Sequence, residues 1–531
     1  MTQVAPELLA LQRLYHWEKT DPNRVALTQP MGAGAVQEFT WAEIGDQVRR
    51  MATHLQSQGW EPGSKVAILS KNCAWWMMSD LAIWMAGHVS VPLYPTLAAE
   101  TVRQILTHSE AKACFIGKLD GWEGMKPGVP AGLPCISYAL SPLDAIQAYE
   151  GWDAICGRHQ PLQGEPTRGA DELATLLYTS GTTGLPKGVV LTHTQFAALL
   201  SVGDHWGFDT ESVGLVAMPL FHIGGSGFAL VCMSFGARVV LVADIVPDQL
   251  LATMADEGVT NAFLVPAVLQ FLVGVPGAAD RDWSKLRAIA YGASPITSTV
   301  LNRVLTTFKA PLFQVYGSTE TTGAITQLDP EDHDPDGPRA HLMRSAGKAY
   351  PWVELKTVDP ATGEDLPTGE VGEVWIRSSQ VTPGYWARPE ETAKALSDGW
   401  FHTGDAGYLD DEGFLFLTDR IKDMIVTGAE NVYPIEVENV LSGHPDIADV
   451  AVIGVPDERW GETVKAVVVP QEGSTIDSDA LLAWCKERMA GFKRPRSVDV
   501  IDALPRNTSG KILKKDLRKP YWENAEGRHI G

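Results

Sequence analysis

Apolar positions along the chain recur with two periods, and the switching between them sets out an architecture. Thr40-Trp41-Ala42-Glu43 has the form of a helix capping box, and Ile44, Val48, Met51 and Leu55 then fall on one helical face. Pro62-Gly63 turns the chain into an apolar run, Val66 to Leu69, expected as a strand. A helix from Ala74, a short strand at Val89 to Leu93, a helix from Glu100 to His108 and a strand at Ala113 to Ile116 follow. The same alternation resumes after residue 170. Strands are expected at Leu173 to Leu177, Val213 to Met218, Val239 to Val242, Ala262 to Val265, Arg287 to Tyr291 and Leu312 to Val315, with helices between the last five. Strand and helix in turn imply parallel sheets covered on both faces, with ligand sites in loops at the carboxyl ends of strands.

Three stretches break this texture. Residues 118–170, rich in Gly, Pro and polar residues, carry little periodic signal and read as irregular. From Ala346 short alternating strands with turn pairs, such as Val371 to Ile376, indicate a smaller β-rich subdomain. After Asp419-Arg420-Ile421-Lys422-Asp423 a new pattern begins, with helices at Ile435 to Leu441 and Ala480 to Met489 and strands at Val450 to Val455 and Lys465 to Val469. The expected division is a large α/β unit over residues 1–420 and a small α+β domain over 421–531.

Composition narrows the class of partner. A net charge of -22 opposes nucleic-acid binding, which needs a basic footprint to displace counterions, and opposes docking on anionic lipid. The six cysteines are scattered without C-x-x-C pairs, as reduced thiols of a cytoplasmic protein would be. The N-terminus has no run of signal-peptide type. The most apolar helix candidate, Ala74 to Gly87, is shorter than the roughly 20 residues of a membrane span and contains Asp80, so it is expected in the core.

Candidate chemistry lies in the loops. Thr179-Ser180-Gly181-Thr182-Thr183-Gly184-Leu185-Pro186-Lys187-Gly188 directly follows an apolar strand. Its glycines let backbone N–H groups approach an anion, its hydroxyls can donate, and Lys187 adds a positive charge. It is not the ATPase P-loop, because Pro186 precedes the lysine and Gly188 follows it. On composition alone a Gly/Ser/Thr linker is the alternative. Tyr316-Gly317-Ser318-Thr319-Glu320 also leaves a strand. Its ring could stack a purine and its carboxylate could hold Mg2+ beside phosphates, whereas the plain alternative is a β-turn with an exposed glutamate. Asp405, after the glycine turn in Trp400-Phe401-His402-Thr403-Gly404-Asp405, could accept from the two vicinal hydroxyls of a ribose. His222, in Pro219-Leu220-Phe221-His222-Ile223-Gly224-Gly225, reads as a pocket wall rather than a general base, since an ionised carboxylate attacks without one. Lys511, in Arg506-Asn507-Thr508-Ser509-Gly510-Lys511, sits on a polar loop that could swing over a phosphorus as charge develops. Two decoys fail. Asp332 to Gly337 opens like a calcium loop but Met343 occupies the closing position, and Gly224-Gly225-Ser226-Gly227 is out of register for a hydrolase nucleophile.

These loops, in this order from about Trp41 to Lys511, resemble the adenylate-forming superfamily of acyl-CoA synthetases, aryl-CoA ligases, luciferases and peptide-synthetase adenylation domains. The resemblance implies ATP, Mg2+ and coenzyme A as reactants and cofactor, with a small-molecule carboxylic acid as substrate. It places Thr179 to Gly184 and Lys187 on the phosphates, Thr183 with the catalytic groups, Glu320 on Mg2+ and Thr319 on the α-phosphate. Gly292, Ala293, Ser294, Tyr316 and Gly317 would surround the adenine, Asp405 and Arg420 would hold the ribose, and Lys511 would serve adenylation. Lys422 matches the hinge of a mobile C-terminal domain, and Gly428 the loop that replaces Lys511 beside the thiol arm, where Ala429 stands in place of a second glycine common in relatives. His222, Val265, Gly323 and Ala324 would line an apolar or small acyl pocket, which favours an uncharged tail. The segments Ser70 to Cys73 and His88 to Thr96 look most like medium- and long-chain fatty acyl-CoA synthetases. Aryl and arylalkanoic acids stay open, as does a homodimer. A phosphoryl-transferring ATPase or kinase, or a silent binder, is the different-class alternative. AMP with pyrophosphate as products supports the synthetase reading, whereas ADP with phosphate marks phosphoryl transfer.

Overall fold

A computed structural model of the chain describes residues 6–32, 34–179, 186–294, 296–420, 423–427, 430–457, 459–506 and 512–522. Among them a nine-stranded sheet runs in the order Lys348–Ala349, Gly323–Leu328, Leu312–Ser318, Ala288–Gly292, Asn261–Leu264, Val213–Val216, Arg238–Leu241, Val25–Gly32 and Ala35–Thr40. Its inner pairings, from Leu312–Ser318 across to Val25–Gly32, are parallel. A seven-stranded sheet holds Lys65–Leu69, Val89–Leu93 and Ala113–Ile116 in parallel and ends on the antiparallel hairpin Leu173–Thr179 and Lys187–Thr192. Both sheets are the α/β architecture the alternation predicts.

Local signals were accurate where they were long. Thr40 caps the helix Trp41–Ser57: its hydroxyl accepts from the Glu43 backbone N–H, and the Glu43 carboxylate accepts from the Thr40 N–H at 2.8 Å. Ile44, Val48, Met51 and Leu55 are fully buried along its inner face. The helix Ala74–Met85 buries every residue, including Asp80. It is apolar all round because it lies within the core, and among the described residues no helix is long and apolar enough to cross a membrane.

Asn72, just past the strand Lys65–Leu69, joins the two sheets at their carboxyl ends. Its amide donates to the carbonyls of Met218 and Val242 at 3.0 Å each, and its carbonyl accepts from Leu220 N–H at 2.8 Å. A buried amide with donors and acceptor satisfied is stabilising, whereas removing it would strand three backbone groups.

Residues 118–170 are not irregular as expected. They contain the helices Trp122–Met125, Leu143–Ala148 and Trp152–Arg158 and the strands Cys135–Ser137 and Glu150–Gly151, which extend the seven-stranded sheet. Elements this short show no period; Trp122, Ile136, Tyr138, Trp152 and Ile155 hold them by burial instead.

The β-rich stretch forms a further sheet from Val353–Val358, Gly372–Ser378, Trp400–Leu409, Leu396–Ser397 and Leu415–Arg420. Beyond it, Ile425–Thr427, Glu430–Val432, Ile447–Asp457, Gly461–Pro470 and Ser497–Val500 form a sheet whose helices Pro434–Leu441 and Ser478–Lys486 close over a core of Ile425, Val437, Leu441, Val452, Val464 and Leu481.

Candidate active site

The site is assembled from strand ends and one strap. Leu173–Thr179 and Lys187–Thr192 pair with Thr179 opposite Lys187, so the hydroxyl-rich run is the connection of a hairpin. Its residues Ser180, Gly181, Thr182, Thr183 and Gly184 lie outside the described residues, as do Lys422, Gly428 and Lys511 and the side chain of Arg420.

The strand Leu312–Ser318 turns back at once into Gly323–Leu328, with Gly317 opposite Ala324 and Ser318 opposite Gly323. Ser318 N–H donates to Thr321 Oγ1 at 2.8 Å, and Thr322 N–H to the Thr319 carbonyl at 3.0 Å. A Cβ on Gly317 would stand 1.8 Å from the Gly323 carbonyl oxygen, so this approach admits only glycine. The turn carries Glu320 outward. Its carboxylate accepts from the Tyr385 hydroxyl at 3.1 Å, and its backbone carbonyl accepts from Thr382 N–H at 2.7 Å. Burial, and then Glu320, hold the Tyr385 phenol well above the usual tyrosine range, so it stays a donor.

Beside this turn, Gly292 pairs with Val315, and a Cβ there would meet the Val315 carbonyl at 2.1 Å. The exposed Ala293 that follows has φ +68°, an uncommon conformation for a residue with a Cβ. Gly292, Ala293, Ser294, Tyr316 and Gly317 therefore share two adjacent strand ends. Asp405 reaches the same place from the strand Trp400–Leu409. Gly404, at φ +69°, donates its N–H to Glu373, and the Tyr316 hydroxyl donates to Asp405 Oδ2 at 2.6 Å. Arg420 is the register partner of Asp405 on the neighbouring strand.

His222 caps the helix Ile223–Ser234: its Nδ1 accepts from Gly224 N–H at 3.2 Å, which leaves the proton on Nε2. Burial lowers its pKa to about 4, so the imidazole is neutral. Gly323 packs at φ +93° against Leu199 and Ile223, and Gly224 against Phe263. Val265 is buried at the start of the helix Pro266–Gly274, and Ala324 is buried, its carbonyl accepting from Gln380.

Sequence reasoning did not single out Leu199, Ile223, Phe263, Gln380, Thr382 or Tyr385. Gly384-Tyr385-Trp386 offered only a glycine and two adjacent aromatic residues as a signal. All six cysteines are free thiols, five of them buried. Among the described residues no group of three or more His, Cys, Asp or Glu gathers to hold a metal. The half-buried Glu320 carboxylate, on a turn lined by hydroxyls, suits Mg2+, which takes one or two carboxylates and leaves its remaining positions to phosphate oxygens and water.

Comparison with known proteins identifies the family. Residues 14–386 match the family described as AMP-binding enzyme, and residues 436–511 match the AMP-binding enzyme C-terminal domain. The chain is 38% identical over 492 residues to a fatty acid–[acyl-carrier-protein] ligase, ScoC, of Streptomyces coeruleorubidus, covering 92% of each. It is 37% identical over 501 residues to a feruloyl-CoA synthase of an Amycolatopsis species, covering 91% of this chain and 94% of that one. The structure of ATP-bound MatB from Rhodopseudomonas palustris superposes with a TM-score of 0.86 at 30% identity, over 97% of this chain and 99% of the other. The chain belongs to the AMP-binding enzyme family, the adenylate-forming class, as an AMP-forming acyl-CoA synthetase.

Proposed function

We propose that the protein activates a carboxylic acid with ATP and passes the acyl group to coenzyme A. The observation that carries this reading is the meeting of an aromatic ring and a carboxylate from strands 89 residues apart: the Tyr316 hydroxyl bonds Asp405, and Glu320 stands on the turn four residues beyond Tyr316. A carboxylate oxygen of the acid attacks the α-phosphorus and pyrophosphate leaves, giving acyl-AMP. The CoA sulfur then attacks the acyl carbon, its proton passing to solvent, and AMP leaves. The run Thr179 to Gly184, with Lys187, would hold the leaving phosphates, and Thr319 the α-phosphate. Gly292, Ala293 and Ser294 would border the adenine, while Asp405 with Arg420 would hold the ribose. Bound at Glu320, Mg2+ would supply charge neutralisation on the phosphates. Lys511 would meet the charge developing on phosphorus, and rotation of residues 421–531 about Lys422 would exchange it for the Gly428 loop.

The acid is read as fatty. Leu199, Ile223 and Phe263, facing the glycines at 227, 323 and 224, are apolar and uncharged, which disfavours an amine or a second carboxylate. An aryl acid is the second reading, favoured by Phe263 at the Gly224 wall. Reduced thiols fit a cytoplasmic setting.

Acid-dependent exchange of pyrophosphate into ATP, screened over fatty, aromatic and short acids, tests the reading. AMP and pyrophosphate are the expected products, and ADP with phosphate would overturn it. Lys511→Ala should slow adenylation by at least roughly a hundredfold, and an unchanged exchange rate would remove Lys511 from this role.

A further inference from the structure

The strap that carries Tyr385 touches both Lys187, proposed to hold phosphate, and Glu320, proposed to hold Mg2+, and the sheet geometry explains why. Residues 384–386 add to the edge of the strand Lys187–Thr192: Val190 N–H donates to the Gly384 carbonyl at 3.0 Å, Trp386 N–H donates to the Gly188 carbonyl at 2.7 Å, and Tyr385 lies opposite Val189. Side chains two apart on a strand share a face, so Lys187 and Val189 point to the side that Tyr385 occupies. Trp386 points the other way, where its ring lies under the Lys65 ammonium at 3.9 Å and its indole donates to the His108 carbonyl. The strap is thus anchored from behind, and Tyr385 is presented forward. Its ring lies 5.3 Å from Lys187 Nζ, and its hydroxyl donates to Glu320 at 3.1 Å. Thr382, at the strap's start, grips the Glu320 backbone and donates its hydroxyl to the Val190 carbonyl at 2.6 Å.

A flexible ammonium and a carboxylate this close to one ring have an obvious competing arrangement, an ion pair with each other. Such a pair would leave neither free for phosphate or metal. Among the described residues no ion pair joins them; the phenol lies between, satisfying the anion with its hydroxyl edge and the cation with its π-face.

We propose that Tyr385 is a positioning residue for adenylation, holding Glu320 and Lys187 apart so that Lys187 faces the polyphosphate and Glu320 its Mg2+. This rests on the function proposed above. Tyr385→Phe removes the hydroxyl and keeps the ring; Tyr385→Leu removes both. The probes are Mn2+, read by the loss of free-ion electron paramagnetic resonance signal, and α,β-methylene-ATP, read by calorimetry with and without metal. For Tyr385→Phe, Mn2+ affinity of the enzyme–nucleotide complex is expected to fall about tenfold, with metal-free nucleotide affinity within about twofold of wild type. For Tyr385→Leu, metal-free nucleotide affinity should also fall, by about two- to fivefold. Wild-type Mn2+ affinity in Tyr385→Phe overturns the proposal, as does a Tyr385→Leu variant that behaves like Tyr385→Phe in both measurements. Should Tyr385→Leu fail to fold, the Tyr385→Phe result alone decides. The readouts are binding, so they separate from the reaction assignment. Absent pyrophosphate exchange in the wild type with a Tyr385-dependent Mn2+ site would sink the assigned reaction and leave the positioning role standing.

Discussion

The hydroxyl of Tyr316 donates to Asp405 Oδ2 at 2.6 Å, tying the end of a strand in the nine-stranded sheet to a strand of the β-rich sheet. A hydrogen bond to an ionised carboxylate is roughly twice as strong as a neutral one. It also orients the ring and engages one oxygen of the Asp405 carboxylate. Tyr316→Phe keeps the ring and removes this bond between the two strands. The expected outcome is a KM for ATP raised about tenfold with the KM for the acid little changed, read by steady-state pyrophosphate release.

Two glycine substitutions should act in opposite directions. Gly317→Ala drives a methyl into the Gly323 backbone carbonyl, which cannot yield without opening the hairpin that carries Glu320. Loss of adenylation together with a lowered Tm is expected. Gly157 sits in the helix Trp152–Arg158 with open space where an added methyl group would stand. Gly157→Ala should stabilise the protein by about 0.5–1 kcal/mol with unchanged activity, measurable by urea denaturation.

Histidines with lowered pKa set an acid limit on stability. Burial lowers His222 to about 4 and, with Arg168 adding to it, His193 to about 3, both from 6.5. A base with a depressed folded pKa contributes its full stability above the unfolded value and loses it as pH falls toward the folded one. Between pH 6.5 and about 4 each should therefore cost roughly 1 kcal/mol per pH unit. Replacing His222 with Gln should flatten part of that slope in a Tm-versus-pH series, and an unaltered slope would show that His222 does not contribute.

Asp80 produces the opposite sign. Enclosed in the helix Ala74–Met85 with Oδ1 unpartnered, it has its pKa raised by burial from 3.8 to about 7. The contribution of such an acid is fully present below 3.8 and lost as pH rises through about 7, where ionisation is forced in an apolar setting. Asp80→Asn cannot ionise. Its Tm relative to wild type should rise from pH 5 to pH 8, and a difference independent of pH would count against a buried titrating carboxyl.

Much of the fold was legible in the order of residues because its signals are local. The Thr40 capping box, the helical face through Leu55 and the alternating runs from Val213 to Val315 act over a few residues, and the structure carries each as expected. Residues 118–170 were illegible for the complementary reason: elements of two to seven residues have no measurable period, and buried tryptophans and a sheet edge elsewhere in the chain stabilise them.

The same division holds at the site. The order of residues marked candidate loops around Lys187, Tyr316 to Glu320 and Asp405, through their resemblance to a known family more than through residue type alone. How they meet came from the folded chain: the Tyr316 hydroxyl is bonded to Asp405, and Tyr385 contacts both Lys187 and Glu320. Those are contacts between segments tens to almost two hundred residues apart, created by strand pairing and sheet packing, and no pattern along the chain encodes a distance across it.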